Sequence, residues 1–257
     1  ARARVPRMRL SDRSVLNMPW PELGSARLAQ LKLMVALHAL QLGLSDTHIQ
    51  PADRARAQRN ARAQRPGVAG LPFSAHPRVE PDGSMWNFGV SSVASAMVIY
   101  RITREGTLSQ TAMLRLKDAA MVHDFAVTQN HLVFLMPPLI FKRERYQSGQ
   151  SFLASHEWTP SLGLRVMVLP KAQLDQPRWY ELPAGMIFHI GNACEVGGVI
   201  RLDCMRSPTA WSATQGIQEL MCGDYQPQEH PQAMLVELDL ATRRARQSVM
   251  PLVAEFP

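Results

Sequence analysis

Short apolar segments alternate with turns from Gly67 to the end of the chain, and this alternation limits the possible fold more than any other feature. Turn residues such as Pro81-Asp82-Gly83-Ser84 and Gly197-Gly198 separate runs with β-strand character. The predicted strands are 85–90, 96–103, 108–116, 121–128, 131–136, 162–169, 178–182, 186–194, 199–205, 234–240 and 246–253. This meander predicts an all-β architecture, and both a sandwich and a β-propeller fit it.

Residues 1–66 have a different character and are predicted to be a separate basic, helical segment. Leucines recur at helical spacing from Ser25 to Leu44, which favours an amphipathic helix packed on protein or on a surface. Residues 51–66 are rich in Ala, Arg and Gln without an apolar stripe, as in a solvated helix or linker. We therefore predict a boundary near residue 67, with a second domain over 67–257.

The net charge of +7 is local, because arginines crowd residues 2–13 and 54–65 while the charges beyond residue 70 are mixed. A basic groove spread over the fold is not indicated, so nucleic acid is not a predicted partner.

The three cysteines form no CxxC pair, which argues against a disulfide framework or a cysteine zinc site. A cytoplasmic location is expected, and peripheral contact with a membrane through the helix is left open. We also expect the chain to be part of a longer protein, because it starts at Ala1 and stops at Pro257.

Three histidines stand at or near the start of predicted strands: His76, His123 and His189. They are too far apart in the sequence for a local metal-binding motif. A metal site would require strands from different parts of the sheet to converge, and imidazoles would then suit Fe, Zn, Cu or Ni. Spacing alone favours three structural histidines.

The residues around these histidines resemble three signature segments of the carotenoid cleavage oxygenase family, in order and in spacing. The segments are Phe73–Gly83, His123–Thr128 and Phe188–Glu195, and Glu255-Phe256-Pro257 resembles a fourth. The resemblance covers about residues 67–257. The family includes carotenoid and apocarotenoid cleavage dioxygenases, stilbene cleavage dioxygenases and the retinoid isomerase of the eye.

The resemblance implies a seven-bladed β-propeller, here incomplete with several blades, and a single Fe(2+) on its axis held by four histidines. His76, His123 and His189 match three of these four ligands. Glu255 matches a glutamate that accepts a hydrogen bond from a ligand histidine, and Glu195 is a candidate either for that role or for a structural one. Such a carboxylate fixes the tautomer and orientation of the imidazole.

One ligand of the family pattern is missing. The fourth histidine of the family lies beyond the Glu-Phe-Pro segment, where this sequence ends. His230 is not a substitute, because it precedes Glu255 and lies in a polar segment where we expect it to be exposed.

Other polar and aromatic residues are interpreted as structural. We expect Asp124 to hydrogen-bond at a strand end rather than to act as a catalytic acid, Asn192 to satisfy backbone groups, and Cys194 to be a buried, inert thiol. Four further histidines are given structural roles, namely His38, His48, His131 and His156. Five aromatic residues could line an apolar tunnel but are mostly expected in the core: Trp86, Phe88, Phe125, Phe134 and Phe188.

Three functional hypotheses follow. The first is a non-haem Fe(2+) dioxygenase that uses O2 to cleave a conjugated C=C bond of a carotenoid, apocarotenoid or stilbene into two carbonyl products. The second is a non-catalytic β-propeller fragment or pseudo-enzyme that lacks the fourth ligand. The third is a three-histidine zinc hydrolase, for which no general base stands out. Any metal site requires the nitrogens of His76, His123 and His189 to converge within a few ångströms.

Overall fold

The computed structural model describes residues 72–224 and 226–254, in which antiparallel β-sheet dominates. The first sheet has four strands in chain order. Its strands are β1 (Arg78–Val79), β2 (Met85–Ser91), β3 (Ala96–Ile102) and β4 (Leu108–Arg115). The turn predicted between β1 and β2 is present, because the Asp82 carboxylate accepts the N–H of Ser84 and Gly83 has a φ of 80°.

The second sheet has the strand order β10-β9-β6-β5, and a separate two-stranded hairpin lies beside it. The strands of this region are β5 (Ala126–Val127), β6 (His131–Met136), β7 (Leu139–Phe141), β8 (His156–Trp158), β9 (Leu164–Pro170) and β10 (Arg178–Leu182). Strands β7 and β8 pair with each other, and a short helix α1 (Arg143–Gln147) connects them. A 3-10 turn, Pro160–Leu162, precedes β9.

The third sheet again has four strands in chain order. They are β11 (Met186–Val196), β12 (Val199–Ser207), β13 (Gln232–Asp239) and β14 (Ala245–Val253). Gly197 and Gly198 both have positive φ and form the tight hairpin predicted between β11 and β12. Helix α2 (Gln215–Cys222) lies between β12 and β13.

The second sheet is buried on both faces and joins the other two. On β6, Val133 and Leu135 pack into a core shared with the third sheet. The alternate residues Leu132, Phe134 and Met136 pack into a core shared with the first sheet. Because successive side chains of a strand point to opposite faces, β6 contributes to both cores at once. The three sheets therefore stack in series, as the blades of a propeller do.

The histidine segments lie at one edge of each sheet. Strand β1 is the edge of the first sheet, β5 of the second and β11 of the third, and β5 contacts β11 directly. Stacking the sheets in series brings these three edges together. This arrangement fits the predicted all-β fold, an incomplete β-propeller.

The strand predicted over Met121–Thr128 is wrong for most of its length, since only Ala126 and Val127 form β5. The preceding backbone is bound by side chains and by a short bridge to β7 that does not extend into a ladder. The carbonyl of His123 accepts a bond from the Ser74 hydroxyl, and the N–H of Phe125 donates to the Asp124 carboxylate. Met121 N–H donates to the carbonyl of Leu139. An apolar run cannot reveal such partners.

Several predictions fall on residues outside the described ranges. These are the helix over Ser25–Leu44, the whole of 1–66 with its boundary near residue 67, and Glu255. The predicted cytoplasmic location also stays a prediction. Within 72–224 and 226–254, no helix has the length and apolar character needed to cross a membrane.

Candidate metal centre

Each of the three histidines is held by a different sheet edge. His76 lies two residues before β1, where its N–H donates to the hydroxyl of Ser74 at 3.1 Å. The same hydroxyl donates to the carbonyl of His123 at 3.3 Å, which ties the first two histidine segments together. His123 lies three residues before β5, and His189 is within β11.

His189 occupies an irregular part of its strand. The register between β11 and β12 shifts between Ile187 and Ile190, and shifts again between Ile190 and Ala193. In a regular strand the consecutive side chains Phe188 and His189 would point to opposite faces. Here both rings contact the ring of His123, at centroid distances of 4.9 and 5.2 Å. The irregularity therefore aims both side chains at one place, as β-bulges do near functional sites.

The three imidazoles converge as the sequence predicted. The Nε2 atoms of His76 and His123 are 2.9 Å apart, and one ligand nitrogen from each of the three rings lies within 4.8 Å of the others. Two nitrogens bound to one metal ion at about 2.1 Å and at right angles would be about 3.0 Å apart. The separation of His76 and His123 matches this geometry, and all three histidines are only partly buried.

Burial favours the form of His76 that binds metals. Desolvation lowers the pKa of His76, and the positive influence of His189 and Arg78 acts in the same direction, against the attraction of Asp124. A lowered pKa keeps the imidazole neutral at neutral pH. Since a protonated imidazole cannot bind a metal, His76 is ready to act as a ligand.

One side of the cluster is apolar. Phe188 stands edge-on to His123, with 79° between the rings. Behind Phe188 lies a small core that includes Leu139 and Met186, with Met121 and Trp158 partly buried against it. A ligand beside the histidines would therefore meet hydrocarbon and aromatic surface here.

Asp124 has the structural role that its position predicted. Its side chain is only 3% exposed and forms an ion pair with Arg78 at 2.8 Å. The carboxylate also accepts the N–H groups of Phe125 and Ile190. Each oxygen is thus occupied by donors, which leaves Asp124 poorly suited to proton transfer. Arg78 was not predicted from the sequence as a residue of this site, although it lies only two residues after His76.

Glu195 binds a histidine, but not one of the three in the cluster. Its carboxylate accepts a bond from Nδ1 of His131 at 2.9 Å, and further bonds from Thr128 and Asn130. Desolvation alone would raise the pKa of Glu195, but these hydrogen bonds together lower it. The contacts place Glu195 at the β5–β6 turn, and they correct the expectation that it supports a metal ligand. His131, interpreted from sequence as structural, is its partner.

Some of the remaining predictions, for the aromatic residues and other polar side chains, are confirmed, and one is wrong. Trp86, Phe88, Phe125 and Phe134 are buried in the core between the first two sheets, and Phe188 alone of the five aromatic residues reaches the histidines. His230 is exposed as predicted, and the Asn192 side chain accepts the N–H of Ala193. Cys194 is exposed, which corrects the prediction of a buried thiol, because the alternate residues at that end of β11 face solvent.

Comparison with known proteins gives the same family as the histidine segments. The sequence profile of the family described as retinal pigment epithelial membrane protein matches residues 47–257. A carotenoid 9,10(9',10')-cleavage dioxygenase of Phaseolus vulgaris is 35% identical over 129 residues, which are 49% of this chain and 23% of that protein. Isoeugenol monooxygenase of Pseudomonas nitroreducens is 33% identical over 145 residues, 54% of this chain and 30% of that protein.

Solved structures agree on the fold. The lignostilbene dioxygenase of Pseudomonas brassicacearum superposes with a TM-score of 0.58 at 25% identity, over 70% of this chain and 38% of that one. The chain spans less than a third of the length of these two curated relatives. Since the family profile covers more than half of the sequence, the chain belongs to the retinal pigment epithelial membrane protein family, the carotenoid cleavage oxygenases.

Proposed function

We propose that this chain carries three ligands of the metal centre of an oxygenase that cleaves a carbon–carbon double bond. The observation that carries the proposal is the convergence of His76, His123 and His189, which come from three sheets and place their ligand nitrogens within 4.8 Å. Three independent strand edges would not need to present imidazoles to one point if each histidine served only local packing.

The donor set fits Fe(2+). Imidazole nitrogens suit iron, and three of them on one side of an ion leave positions open for other ligands. His76, His123 and His189 would hold the ion. Bound Fe(2+) would supply the redox chemistry that lets O2 react with a carbon–carbon double bond.

The protein's own residues would bind the substrate and keep it oriented. Phe188 would present its ring to an apolar, conjugated chain beside His123, backed by Met121 and Trp158. Such a wall offers no hydrogen bonds, so it favours a hydrocarbon or stilbene part over a polar one. It would also keep water from the reacting double bond.

The proposed substrate is a carotenoid, apocarotenoid or stilbene, cleaved with O2 into two carbonyl products. The named activities of the relatives, on carotenoids, isoeugenol and lignostilbene, support a conjugated double bond next to apolar or aromatic groups. The hydrogen bonds of Asp124 favour an oxygenase over a zinc hydrolase, because a hydrolase would need a free general base beside the metal. Its carboxylate, next to His123, is bound by Arg78 and two N–H groups and is not available as a general base.

Metal analysis tests the proposed centre. The chain is loaded with Fe(2+) without oxygen, and bound metal is measured for the wild type, for His123→Ala and for the control His230→Ala. We expect about one iron ion per wild-type and control chain and much less in His123→Ala. A wild-type chain that holds no iron, or a His123→Ala chain that holds as much iron as the wild type, would contradict the proposal.

Activity is tested on the same preparations. The loaded wild type is incubated with O2 and a carotenoid or a stilbene, and the products are analysed for a pair of aldehydes or ketones. Loss of the carbonyl products in His123→Ala, with retention in His230→Ala, is expected. Iron binding without any carbonyl product from either substrate would favour the non-catalytic alternative.

A further inference from the structure

The three histidine-bearing strands are not joined to one another by β-sheet pairing in the described part of the chain. Strand β1 pairs with β2, β5 with β6, and β11 with β12. Sheet hydrogen bonds therefore fix each histidine relative to its own sheet, but not relative to the other two histidines. Some other contact must set the distances between the ligand nitrogens.

The Ser74 hydroxyl links the first two segments, and Arg78 links all three. Its Nε donates to the carbonyl of Phe125 at 2.9 Å, and its Nη2 donates to both oxygens of Asp124 at 3.0 and 2.8 Å. The same guanidinium donates to the carbonyls of Ile190 at 2.7 Å and Gly191 at 3.4 Å. Its acceptors are the two residues that follow His123 and the two that follow His189, while Arg78 itself is two residues after His76.

Asp124 closes the network from the other side. One oxygen accepts the N–H of Phe125 at 2.8 Å, and the other accepts the N–H of Ile190 at 2.9 Å. This buried carboxylate thus binds the segments of His123 and His189, and Arg78 adds the segment of His76. A planar guanidinium offers five N–H donors in fixed directions, so it can hold several acceptors at defined distances.

We propose that Arg78 and Asp124 are positioning residues of the metal centre, which hold the three ligand histidines at the spacing that one ion requires. The inference rests on the proposed function, since it assumes that the histidines bind a metal. It assigns an effect on metal affinity to an ion pair that acts through the backbone beside the ligand histidines. Partners one layer away from a metal commonly change affinity by about 10–100-fold.

The test measures Co2+ binding by the full 257-residue chain, with the visible absorption of the ion as a report on its coordination. The variants are Arg78→Met and Arg78→Lys. The lysine variant keeps a positive charge opposite Asp124 and so protects the fold. A single ammonium cannot also reach Phe125, Ile190 and Gly191 in the directions used by the guanidinium. We expect both variants to bind Co2+ at least about 10-fold more weakly and with an altered spectrum.

A second ion pair provides the matched control. Arg165 and Asp118 are 3.1 Å apart and both partly buried, although Asp118 is less buried than Asp124. Within the described residues, the hydrogen bond between their side chains involves no histidine segment. Arg165→Met should keep the wild-type affinity and spectrum, even where its unfolding temperature falls.

The outcomes separate this inference from the proposed function. A wild-type chain that binds no Co2+ would remove the metal centre itself, and the inference with it. Wild-type binding with unchanged affinity in Arg78→Lys and Arg78→Met would overturn the positioning role alone. An equal loss in Arg165→Met would also overturn it, because the effect would then reflect general stability.

Discussion

At the scale of single residues, the buried side chain of His156 should make the free energy of unfolding depend on pH. Its Nδ1–H donates to the carbonyl of Phe152 at 2.8 Å, and its ring is buried against Phe141 and Phe152. Desolvation lowers the pKa of His156 from its ordinary value of 6.5. Below that value the unfolded chain binds the proton more readily than the folded chain, so the free energy of unfolding falls as the pH decreases toward the folded pKa.

We therefore expect His156→Asn to weaken the pH dependence. The asparagine amide can still donate toward Phe152 but does not titrate. The variant should be less stable than wild type at pH 7.5, with a smaller further loss between pH 7 and pH 5. Urea unfolding at several pH values measures this, with the exposed His230→Gln as the control. An unchanged slope in His156→Asn would show that other groups cause the acid sensitivity.

The cysteines predict a difference in chemical reactivity. Burial raises the pKa of the Cys204 thiol to about 12, while Cys194 and Cys222 are exposed. Because the thiolate is the reactive form, a thiol reagent at pH 8 should label Cys194 and Cys222 in the native chain and reach Cys204 only in denaturant. Mass spectrometry of labelled peptides provides the measurement. Rapid native labelling of Cys204 would contradict its buried position in β12.

At the scale of elements, β2 supports the segment that carries His76. A Cβ added at Gly89 would lie 1.9 Å from the carbonyl oxygen of Pro72, and backbone atoms cannot rotate away. Beside this contact, the N–H of Ser74 donates a hydrogen bond to the carbonyl of Phe88. A side chain at Gly89 would therefore push the segment leading to His76 off the strand.

Gly89→Ala should cost about 3 kcal/mol or more of stability, at the upper end of overpacking effects. It should also weaken metal binding, because His76 would move. Gly106→Ala is the control, since Gly106 has a φ of 87° but no neighbour within 4 Å of an added Cβ. Its expected cost is about 1–2 kcal/mol from backbone strain, with unchanged metal affinity. Chemical unfolding and Co2+ titration of both variants give the comparison.

The sequence predicted regular strands better than the segments between them. Strands such as β3 and β6 and the Gly197-Gly198 hairpin follow from local residue patterns, which sheet pairing only confirms. The short strands β7 and β8 went unpredicted, because three residues carry too little periodicity.

The candidate site shows the same limit. The family resemblance identified the histidines, but Arg78 bonds to residues more than forty positions away, and the partner of Glu195 is His131 rather than a histidine of the cluster. Such partners depend on how the sheets stack, which no local pattern encodes.

At the scale of the whole molecule, the candidate metal site connects all three sheets. His76 belongs to the edge of the first, His123 to that of the second and His189 to that of the third. An ion that binds only the folded chain would therefore stabilise the stack as a unit. At a free metal concentration 100-fold above Kd the gain is about 2.7 kcal/mol.

For a chain of this size, that gain corresponds to a rise in the unfolding temperature of roughly 5–10 °C. Thermal unfolding of the wild type with and without Co2+ should show this rise, and excess chelator should reverse it. His123→Ala should lose most of the rise, while His230→Ala should keep it, because His230 is exposed and outside the cluster. The same rise in His123→Ala would mean that the ion stabilises the fold from another place, and the three sheets would then be held together by their two shared cores and the Arg78–Asp124 network without a metal ion.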